Sequence, residues 1–496
     1  MQHQKAIVIG SGVAGLAAAI RLAVQGIAVD VYEKNSGPGG KITAFKKNDF
    51  CFDAGPSLFI QPKNIEEIFE LAGEPIEQYF TYKQVDIACK YFYENGKVVN
   101  AFTDAEKFAE ELKLQLNEQP VSVTKYLQHS QKLYEKIGSI FLNHSLQKRK
   151  TWLTGSIWKA LAAVKYAHLF KSLNELNKQQ FKSAEAVQLF NRFATYNGSS
   201  PFKAPGMLSM IAHLEHCQGT FYPDGGMVSI TNALYQLAIK KGVKFYFNEA
   251  VQRIIHHNGK VKGVVVNNEN IYCNLLLSNS DIYFSYKKLL NDTINAGKIL
   301  RHERSSSAVI FYWGINQQFP QLQLHNILFS KNYQEEFNHI FTLKKTYHDP
   351  SIYINISSKE ENAMAPAGKE NWFVMVNVPA NTGQDWDLLK ENIRQNVIEK
   401  INRMLNINLE ELIESEQVLD PVLMEEQTGS FMGSLYGSSS NSKLAAFLRH
   451  SNFTDSIKGL YFCGGSVHPG GGIPLCLHSA KIVSNLITAD LKKQSH

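Results

Sequence analysis

Short apolar runs separated by glycines open the chain and predict its first elements. Lys5–Ile9 and Ile27–Tyr32 are runs rich in β-branched residues, which predicts two buried strands. Between them, Leu16–Gln25 has helical composition and stops before Gly26, and glycine commonly follows the end of a helix. The pattern therefore predicts a β-α-β unit with a glycine motif at the turn from the first strand into the helix.

The hydrophobic pattern changes along the middle of the chain. From about Asp104 to Asn191 the composition is helical, rich in Leu, Lys, Glu and Gln. Phe221–Gly226 is predicted to be a turn and Val397–Leu405 a helix. Further strands are predicted at Val243–Phe247, Val251–Ile255, Val261–Val266, Ala308–Trp313, Ile352–Ile356 and Trp372–Val378.

The C-terminal part returns to the pattern of the first. Leu460–Cys463 is predicted to be a strand, a glycine-rich turn follows it, and Leu475–Leu491 is predicted to be a helix. A glycine-rich turn between strand and helix thus occurs at both ends of the chain. We therefore expect the chain to leave a nucleotide-binding domain and return to it, with the inserted middle forming the substrate site.

Composition and charge narrow the classes of protein. The chain has 496 residues, 44% hydrophobic and 19% charged, which suits two or three folded domains. Its net charge of +6 is modest and no long Lys/Arg tract is present, so we expect no nucleic-acid partner; attraction to an anionic membrane surface stays open.

Cysteine spacing and hydropathy bear on the compartment. The six cysteines show no CxxC spacing, which favours free thiols in a reducing compartment. The N-terminal sequence lacks the pattern of a signal peptide, and no stretch is long and apolar enough to span a bilayer. We expect a protein that is cytoplasmic or lies on the inner face of a membrane.

The glycine motif of the β-α-β unit has the spacing of a dinucleotide site. Gly10 permits the tight turn out of the strand, Gly12 allows a pyrophosphate to approach the backbone, and Gly15 allows close packing of helix on strand. The N-terminus of the helix that follows is suited to stabilise the charge of the phosphate, and Val13 and Ala14, within the motif, are further candidate cofactor-binding positions. Glu33 closes the second strand and is placed to accept hydrogen bonds from ribose hydroxyls, which disfavours a 2′-phosphate and hence NADP.

A second glycine loop distinguishes FAD from NAD. Gly37–Lys41 follows Glu33 almost directly, where an NAD-binding unit usually enters its next helix. A loop with a cation at this point is suited to close over the pyrophosphate, so the sequence predicts FAD. Further candidate cofactor-binding positions are Lys34, Gly40, Lys41, Gly55, Pro56, Ser57, Val251, Gly464, Gly465, Gly472, Ile473 and Pro474.

These motifs together resemble the phytoene-desaturase-like family of flavoprotein amine-oxidase-fold enzymes. The resemblance includes the opening motif, Gly37–Lys41, Asp53–Ser57, Tyr222–Met227, Ser278–Asp281, Met364–Gly368 and Ile457–Pro474. It departs from many members at Leu475, where a glycine is common, and from some at Lys41, where an arginine occurs. The resemblance implies an FAD enzyme that oxidises a hydrophobic polyene and passes electrons to an acceptor such as a quinone or oxygen.

One block within the resemblance indicates a branch. Leu189–Pro205 is similar to the hydroxy- and methoxycarotenoid 3,4-desaturases. This implies 3,4-desaturation of a 1-hydroxylated acyclic or monocyclic carotenoid, with hydride transfer to the flavin N5. The alternatives are a phytoene desaturase, a carotenoid isomerase that uses reduced FAD, and a non-catalytic carotenoid-binding flavoprotein.

The implied architecture is an α/β fold with a discontinuous Rossmann-like FAD-binding domain, an inserted sheet-containing substrate domain and a helical cap. The FAD-binding domain takes residues 1–85, 220–285 and 425–496, the substrate domain 86–116 and 286–424, and the cap 117–219. No catalytic base is assigned, and His213 and His216 are not expected to bind a metal because no further ligand lies nearby in the sequence. The basic and aromatic residues of 148–173 suit either a core-facing helix or the surface of a membrane.

Overall fold

The fold is described by a computed structural model, which covers residues 4–148, 151, 168, 170–442 and 449–494. Its strands are β1 Lys5–Ile9, β2 Ala28–Tyr32, β3 Thr43–Lys47, β4 Phe50–Ala54, β5 Tyr82–Gln84, β6 Ile87–Phe92, β7 Val98–Phe102, β8 Phe221–Pro223, β9 Lys244–Tyr246, β10 Val251–His257, β11 Lys260–Val266, β12 Glu269–Tyr272, β13 Leu275–Ser278, β14 Ser307–Ile315, β15 His325–Leu328, β16 Ile352–Asn355, β17 Glu370–Val378, β18 Ile413–Leu419 and β19 Leu460–Phe462.

The α-helices are Val13–Val24, Lys63–Ala72, Ala105–Leu116, Pro120–Leu133, Ser139–Asn143, Leu173–Gln180, Ala184–Asn191, Met210–His216, Val228–Lys240, Ile282–Phe284, Thr293–Ile299, Tyr333–Asn338, Trp386–Leu405, Pro421–Thr428 and Ile473–Gln494. Shorter 3-10 and π segments join several of them, at Ile76–Gln78, Tyr134–Gly138, Arg192–Asn197, Gly206–Ser209, Ser285–Leu289, His339–Leu343, Ser357–Lys359, Asn362–Met364, Leu409–Leu412 and Phe431–Gly433.

A five-stranded parallel sheet, in the order β19-β13-β1-β2-β9, draws strands from both ends of the chain and from its middle. Alternation along β1 divides its side chains between two cores. Ala6 and Val8 pack against the helices Val13–Val24, Val228–Lys240 and Ile473–Gln494, while Ile7 and Ile9 face the antiparallel β10-β11-β12 sheet. The short helix Thr293–Ile299 also packs on this second face. The sheet is therefore covered on both faces, as a parallel sheet requires.

A seven-stranded sheet, in the order β18-β14-β17-β16-β15-β6-β7, forms the second large element. One of its faces packs Phe311, Ile354 and Val374 against the helix Trp386–Leu405. The opposite face carries the paired row His325–Asn355–Phe373–Tyr312. Part of that face packs against Phe50 and Phe52 of β4, and the end nearest β6 packs against the helices of residues 105–216. This second face is the one that meets the rest of the interior, and we call it the inner face.

Each of the predicted strands is present, with bounds that differ by a few residues, and the fold-class prediction is confirmed. Two local predictions are wrong. The helix predicted at Val397–Leu405 begins at Trp386, because the Asp385 side chain accepts a hydrogen bond from the Leu388 N–H and caps the earlier turn. Phe221–Pro223 is not part of a turn but is strand β8, which pairs with β5; the turn follows at Asp224–Gly226. The division into domains by residue range stays a prediction.

Candidate functional site

The turn after β1 shapes a cradle at the N-terminus of the helix Val13–Val24. Gly10 has a φ of +91° and donates its N–H to the Tyr32 carbonyl at 2.8 Å. A Cβ on Gly15 would lie 2.2 Å from the Gly10 oxygen, so only glycine permits this approach of helix to strand. Val13 and Ala14 bury their side chains in the core, while the first N–H groups of the helix have no partner within the helix. These N–H groups suit a phosphate.

Glu33, at the end of β2, is 5% exposed and accepts hydrogen bonds from neutral donors. Its Oε2 accepts from the Ser11 N–H at 2.8 Å and from the Ser11 hydroxyl at 3.0 Å, and its Oε1 accepts from the Asn35 N–H. No Lys or Arg pairs with it among the residues whose placement is described. A buried carboxylate that takes only neutral donors fits ribose hydroxyls.

The second glycine loop lies directly against the first. The Gly39 N–H donates to the Ser11 carbonyl at 3.0 Å, and a Cβ on Gly40 would lie 3.1 Å from the Gly12 Cα. A Cβ on Gly55, where φ is +121°, would lie 1.8 Å from the Lys41 carbonyl oxygen. Three separate turns are thus held in close backbone contact, and side chains are excluded from between them.

The C-terminal glycines join the same end of the five-stranded sheet. β19 ends at Phe462, and a Cβ on Gly464 would lie 2.6 Å from the Asn279 Oδ1. A Cβ on Gly465 would lie 3.2 Å from the Gly471 Cα, and Gly472 has a φ of +101°. The final helix begins at Ile473, which is buried in the core, and Pro474 occupies its second position. We name the four assembled turns, Gly10–Gly15, Gly37–Lys41, Gly55–Ser57 and Gly464–Gly472, the glycine cradle.

Two predicted positions lie at the margin of the cradle. The Lys34 ammonium donates to the Glu426 carbonyl at 2.8 Å in an exposed position, so its side chain serves a surface contact. Val251 begins β10 and is half-buried. Glu249, just before it, donates its N–H to the Glu33 carbonyl at 2.9 Å, which places Val251 beside the end of β2. Pro56 lies in the turn between Gly55 and Ser57.

Asn279 is a site residue to which sequence reasoning gave no role. It follows β13, which lies between β19 and β1 in the sheet, and its amide lies 3.0 Å from the positions that a Cβ would occupy on Gly12 and on Gly15. Its Nδ2 donates to the Gly10 carbonyl and its Oδ1 accepts from the Cys463 thiol. The segment Ser278–Asp281 was noted as part of the resemblance, but only the fold shows that it links the first and last glycine turns.

Three cations surround the cradle with one carboxylate among them. The Arg304 Nη2 pairs with Asp281 at 2.7 Å, and its Nε and Nη1 are buried without a partner in the described structure. Lys41 donates to the Leu435 carbonyl at 2.8 Å, and Arg449 donates to the carbonyls of Tyr436, Ser438 and Gly465.

Burial lowers the pKa values of two of these cations. The pKa of Lys41 falls to about 8 and that of Arg449 to about 10, mainly through burial, with a smaller contribution from the positive charge of Arg304. The excess of positive charge suits an anion. The N-terminal amides, Glu33 and these cations therefore fit a dinucleotide with a pyrophosphate, such as FAD.

A second polar cluster lies beneath the helices of residues 105–216. Glu215 is 1% exposed and accepts two hydrogen bonds from Arg192, at 2.6 and 2.8 Å, and one from the Tyr196 hydroxyl. The Arg192 guanidinium also lies over the rings of Tyr91, Phe193 and Tyr196. Burial opposes ionisation of Glu215, but Arg192, His216 and the Tyr196 hydroxyl together outweigh it, and the pKa stays below its usual value. We name Arg192, Tyr196 and Glu215 the cap cluster.

The two histidines beside the cap cluster have separate roles. The His216 Nδ1 donates to the Phe102 carbonyl at 2.9 Å, and the ring stacks on Phe108. His213 lies beside Gln218 and Tyr134. No set of three or more His, Cys, Asp or Glu side chains in the described part of the chain is grouped to hold a metal.

Two further findings concern the membrane. None of the described helices is both long and apolar enough to cross a bilayer. Most of the basic and aromatic stretch 148–173, including Trp152 and Trp158, lies outside the described residues. Lys148, at its start, lies 3.7 Å from Asp490 and over the ring of Phe453.

Comparison with known proteins identifies the family. The sequence model of the flavin containing amine oxidoreductases matches residues 13–488. The chain is 48% identical over 484 residues to the 1-hydroxycarotenoid 3,4-desaturase of Flavobacterium sp. (strain P99-3), covering 98% of this chain and 99% of that protein. It is 29% identical over 498 residues to the 4,4'-diapolycopene oxygenase of Methylomonas sp, covering 99% of each.

A solved structure shares the fold across the whole length. An oxidoreductase from Methanosarcina mazei has a TM-score of 0.64 at 16% identity, covering 97% of this chain and 100% of that one. At this identity the likeness establishes the fold alone, whereas the family match covers nearly all of the sequence. The chain therefore belongs to the flavin-containing amine oxidoreductases, and it is an oxidoreductase whose cofactor is FAD.

Proposed function

We propose that this enzyme is a carotenoid desaturase that introduces the 3,4 double bond into a 1-hydroxylated carotenoid. The observation that carries the proposal is the 48% identity to a 1-hydroxycarotenoid 3,4-desaturase, which extends over nearly the full length of both proteins. The 29% identity to an oxygenase is much lower, and it favours the oxygenase reaction correspondingly less. The block Leu189–Pro205, noted for its resemblance to the 3,4-desaturases, contains two members of the cap cluster.

The proposed reaction removes two hydrogens from adjacent carbons. One leaves as a hydride and the other as a proton, and the single bond between the carbons becomes a double bond. FAD supplies the hydride acceptor, its N5 atom, and a quinone or oxygen is proposed to reoxidise it. The protein supplies position and exclusion of water. On the inner face, Ile310, Phe373 and Phe52 are buried together and provide an apolar wall for a polyene.

The N-terminus of the final helix suits the reduced cofactor. Gly472 and Ile473 lie at that N-terminus, where unpaired N–H groups stabilise developing negative charge. Arg449, which donates to the Gly465 carbonyl, adds a cation to the same turn. We propose that this end of the cradle holds the part of the flavin that gains charge on reduction.

Product analysis in two host strains tests the proposed substrate. One strain accumulates phytoene and the other a 1-hydroxylated carotenoid, and each expresses this enzyme. We expect a product with one additional conjugated double bond only in the second strain. Lycopene in the first strain, with no new product in the second, would make phytoene desaturase the correct function. An isomer of unchanged mass would favour the isomerase, and binding without any product would favour the non-catalytic alternative.

We further propose that the enzyme associates peripherally with membranes, since a carotenoid is dissolved in the bilayer. The candidate surface is the stretch 148–173, where the basic cluster Lys148–Lys150 lies close in sequence to Trp152 and Trp158. Flotation with anionic liposomes tests this proposal, with the Lys148–Lys150 cluster and both tryptophans replaced together in the variant. Equal flotation of wild type and variant would remove this stretch as the docking surface.

A further inference from the structure

His325 presents a polar atom in the interior that the rest of the structure leaves unused. It begins β15 on the inner face of the seven-stranded sheet and is 1% exposed. Its Nε2 is buried and has no hydrogen-bond partner among the residues described. A buried polar group without a hydrogen-bond partner is unfavourable, so this nitrogen is a candidate to bind a polar group of a ligand.

The neighbours of the other ring nitrogen decide which nitrogen carries the proton. The Asn355 amide nitrogen lies 3.1 Å from the His325 Nδ1 and also donates to the Leu324 carbonyl at 3.1 Å. Because a carbonyl only accepts, this atom of Asn355 is the NH₂ group, and Nδ1 must accept from it. Burial lowers the pKa of His325 to about 4, which leaves the ring neutral at physiological pH. The single proton therefore lies on Nε2, which is a hydrogen-bond donor.

A chain of hydroxyl groups connects His325 with the glycine cradle. The Tyr353 hydroxyl lies 2.7 Å from the His325 Nδ1 and 2.7 Å from the Ser57 hydroxyl. Nδ1 has a single lone pair, and the shorter distance assigns the main hydrogen bond to the Tyr353 hydroxyl, which donates to Nδ1 and in turn accepts from Ser57. Ser57 belongs to the turn whose Gly55 packs on the Lys41 carbonyl, so the imidazole is anchored to the cradle through two side chains.

The cap cluster lies near enough to influence the pKa of His325, but the carboxylate of the cluster, Glu215, already accepts hydrogen bonds from other residues. Glu215 favours the charged form of His325 and Arg192 disfavours it, which places both in the vicinity of the ring. The Glu215 carboxylate already accepts from Arg192 and Tyr196. It does not accept from the His325 Nε2. This nitrogen therefore has no hydrogen-bond partner among the described residues, although it lies near the Arg192–Glu215 ion pair.

We propose that the His325 Nε2–H donates a hydrogen bond to the hydroxyl oxygen of the carotenoid end group and so determines the substrate specificity of the enzyme. This inference rests on the proposed function. In a substrate hydroxylated at C1 and oxidised at C3 and C4, a single carbon separates C1 from C3. The hydroxyl must therefore lie close to the reacting carbons and to the flavin. His325 meets this requirement because the Ser57–Tyr353 chain ties it to the cradle.

The experiment compares two variants of the FAD-loaded enzyme. His325→Phe removes the N–H donor and keeps a planar ring, while His325→Gln retains an N–H donor near the position of Nε2. The affinity of the wild type and of each variant is measured in lipid vesicles for two ligands, a 1-hydroxylated carotenoid and the hydrocarbon of the same length and conjugation. The shift in the absorbance of the polyene on binding gives the affinity. FAD content and the urea unfolding midpoint confirm that each variant is folded.

We expect His325→Phe to reduce the preference for the hydroxylated carotenoid roughly tenfold or more, as for the loss of one buried hydrogen bond. Affinity for the hydrocarbon should stay within about twofold, and His325→Gln should keep most of the preference. An unchanged preference in His325→Phe, or equal weakening for both ligands, would overturn the proposal. A changed flavin spectrum with an unchanged preference would also overturn it, because the donor would then serve the cofactor.

This design separates the inference from the function on which it rests. Turnover of the hydroxylated carotenoid by the wild type is measured in the same vesicles. Absence of turnover would refute the desaturase proposal, while the binding preference and its dependence on residue 325 would still decide the role of His325.

Discussion

The glycine cradle and the cap cluster both lie in the interior, but contacts between main-chain atoms form the cradle, whereas contacts between side chains form the cap cluster. In the cradle, main-chain atoms approach one another where a Cβ is excluded, as at Gly15 and Gly55. In the cap cluster, charged side chains meet, with Arg192 bound to Glu215 at 2.6 Å. The cradle is therefore sensitive to added volume, whereas the cap cluster is sensitive to the loss of a charge.

The largest effect is expected from the cap cluster. Glu215→Gln leaves the buried Arg192 guanidinium without its carboxylate, and breaking a buried ion pair typically costs about 3–5 kcal/mol. Urea unfolding followed by tryptophan fluorescence measures the loss. Glu110→Gln is the matched control, because Glu110 pairs with Lys113 on an exposed helix surface and should cost less than about 1 kcal/mol. Equal losses in the two variants would mean that burial does not set the strength of these pairs.

The cradle should respond to a single added carbon. A Cβ on Gly15 would lie 2.2 Å from the Gly10 oxygen, and relieving this overlap requires the helix to move away from the strand. We expect Gly15→Ala to weaken FAD binding by about 3 kcal/mol, the upper range for overpacking. Titration of apoprotein with FAD measures the change. Gly37→Ala lies in the same cradle with nothing within 4 Å of its added Cβ, and it should bind FAD as the wild type does.

A smaller effect is expected from Glu33, the buried carboxylate at the end of β2 beside the cradle. Glu33→Ala should weaken FAD binding by about 1–3 kcal/mol, because a ribose hydroxyl and the Ser11 N–H would lose their acceptor. Lys34→Ala is its control, since the Lys34 ammonium contacts the Glu426 carbonyl at the surface. Calorimetric titration with FAD compares the two variants. A greater loss in Lys34→Ala than in Glu33→Ala would refute the assignment of the ribose contact.

The two regions also differ in how much of them could be predicted from the sequence. The strand, glycine motif and acid of the first β-α-β unit are consecutive, so local spacing is sufficient to predict them. Asn279 is distant from Gly10 in sequence and meets it only because β13 pairs with β1. His325 and Tyr353 become neighbours through the pairing of β15 with β16, and β15 was not predicted. Contacts that depend on strand order are not encoded in local hydrophobic periodicity.

The sequence indicated only part of the cap cluster. Arg192 and Tyr196 fall in the block Leu189–Pro205, which resembles the 3,4-desaturases. The structure directs both side chains at Glu215, which lies outside that block. Arg192 and Tyr196 thus share the Glu215 carboxylate as their acceptor, and the N–H donor of His325 lies on β15, outside the block.

The smallest predicted effect concerns pH and tests whether the cradle holds an anion. Burial lowers the pKa of Lys41 to about 8 from an unfolded value of 10.5, and a nearby anion would raise it again. Above pH 8 the free protein has a partly neutral Lys41, so binding an anionic cofactor requires uptake of a proton. FAD affinity should therefore fall as the pH rises above 8, by at most about tenfold per pH unit, and this group should contribute no change below that range.

Lys41→Arg separates this effect from other titrations, because an arginine keeps its charge throughout the same range. We expect its FAD affinity to be nearly independent of pH between 8 and about 9.5, where the wild type weakens. The apoprotein should show the reciprocal effect. Charged Lys41 is disfavoured in the folded state, so its contribution to the free energy of unfolding rises as the pH increases from 8 towards 10.5. Identical pH profiles for wild type and Lys41→Arg would show that Lys41 does not face the cofactor's charge, and the cradle would then bind FAD through backbone amides, Arg304 and Arg449.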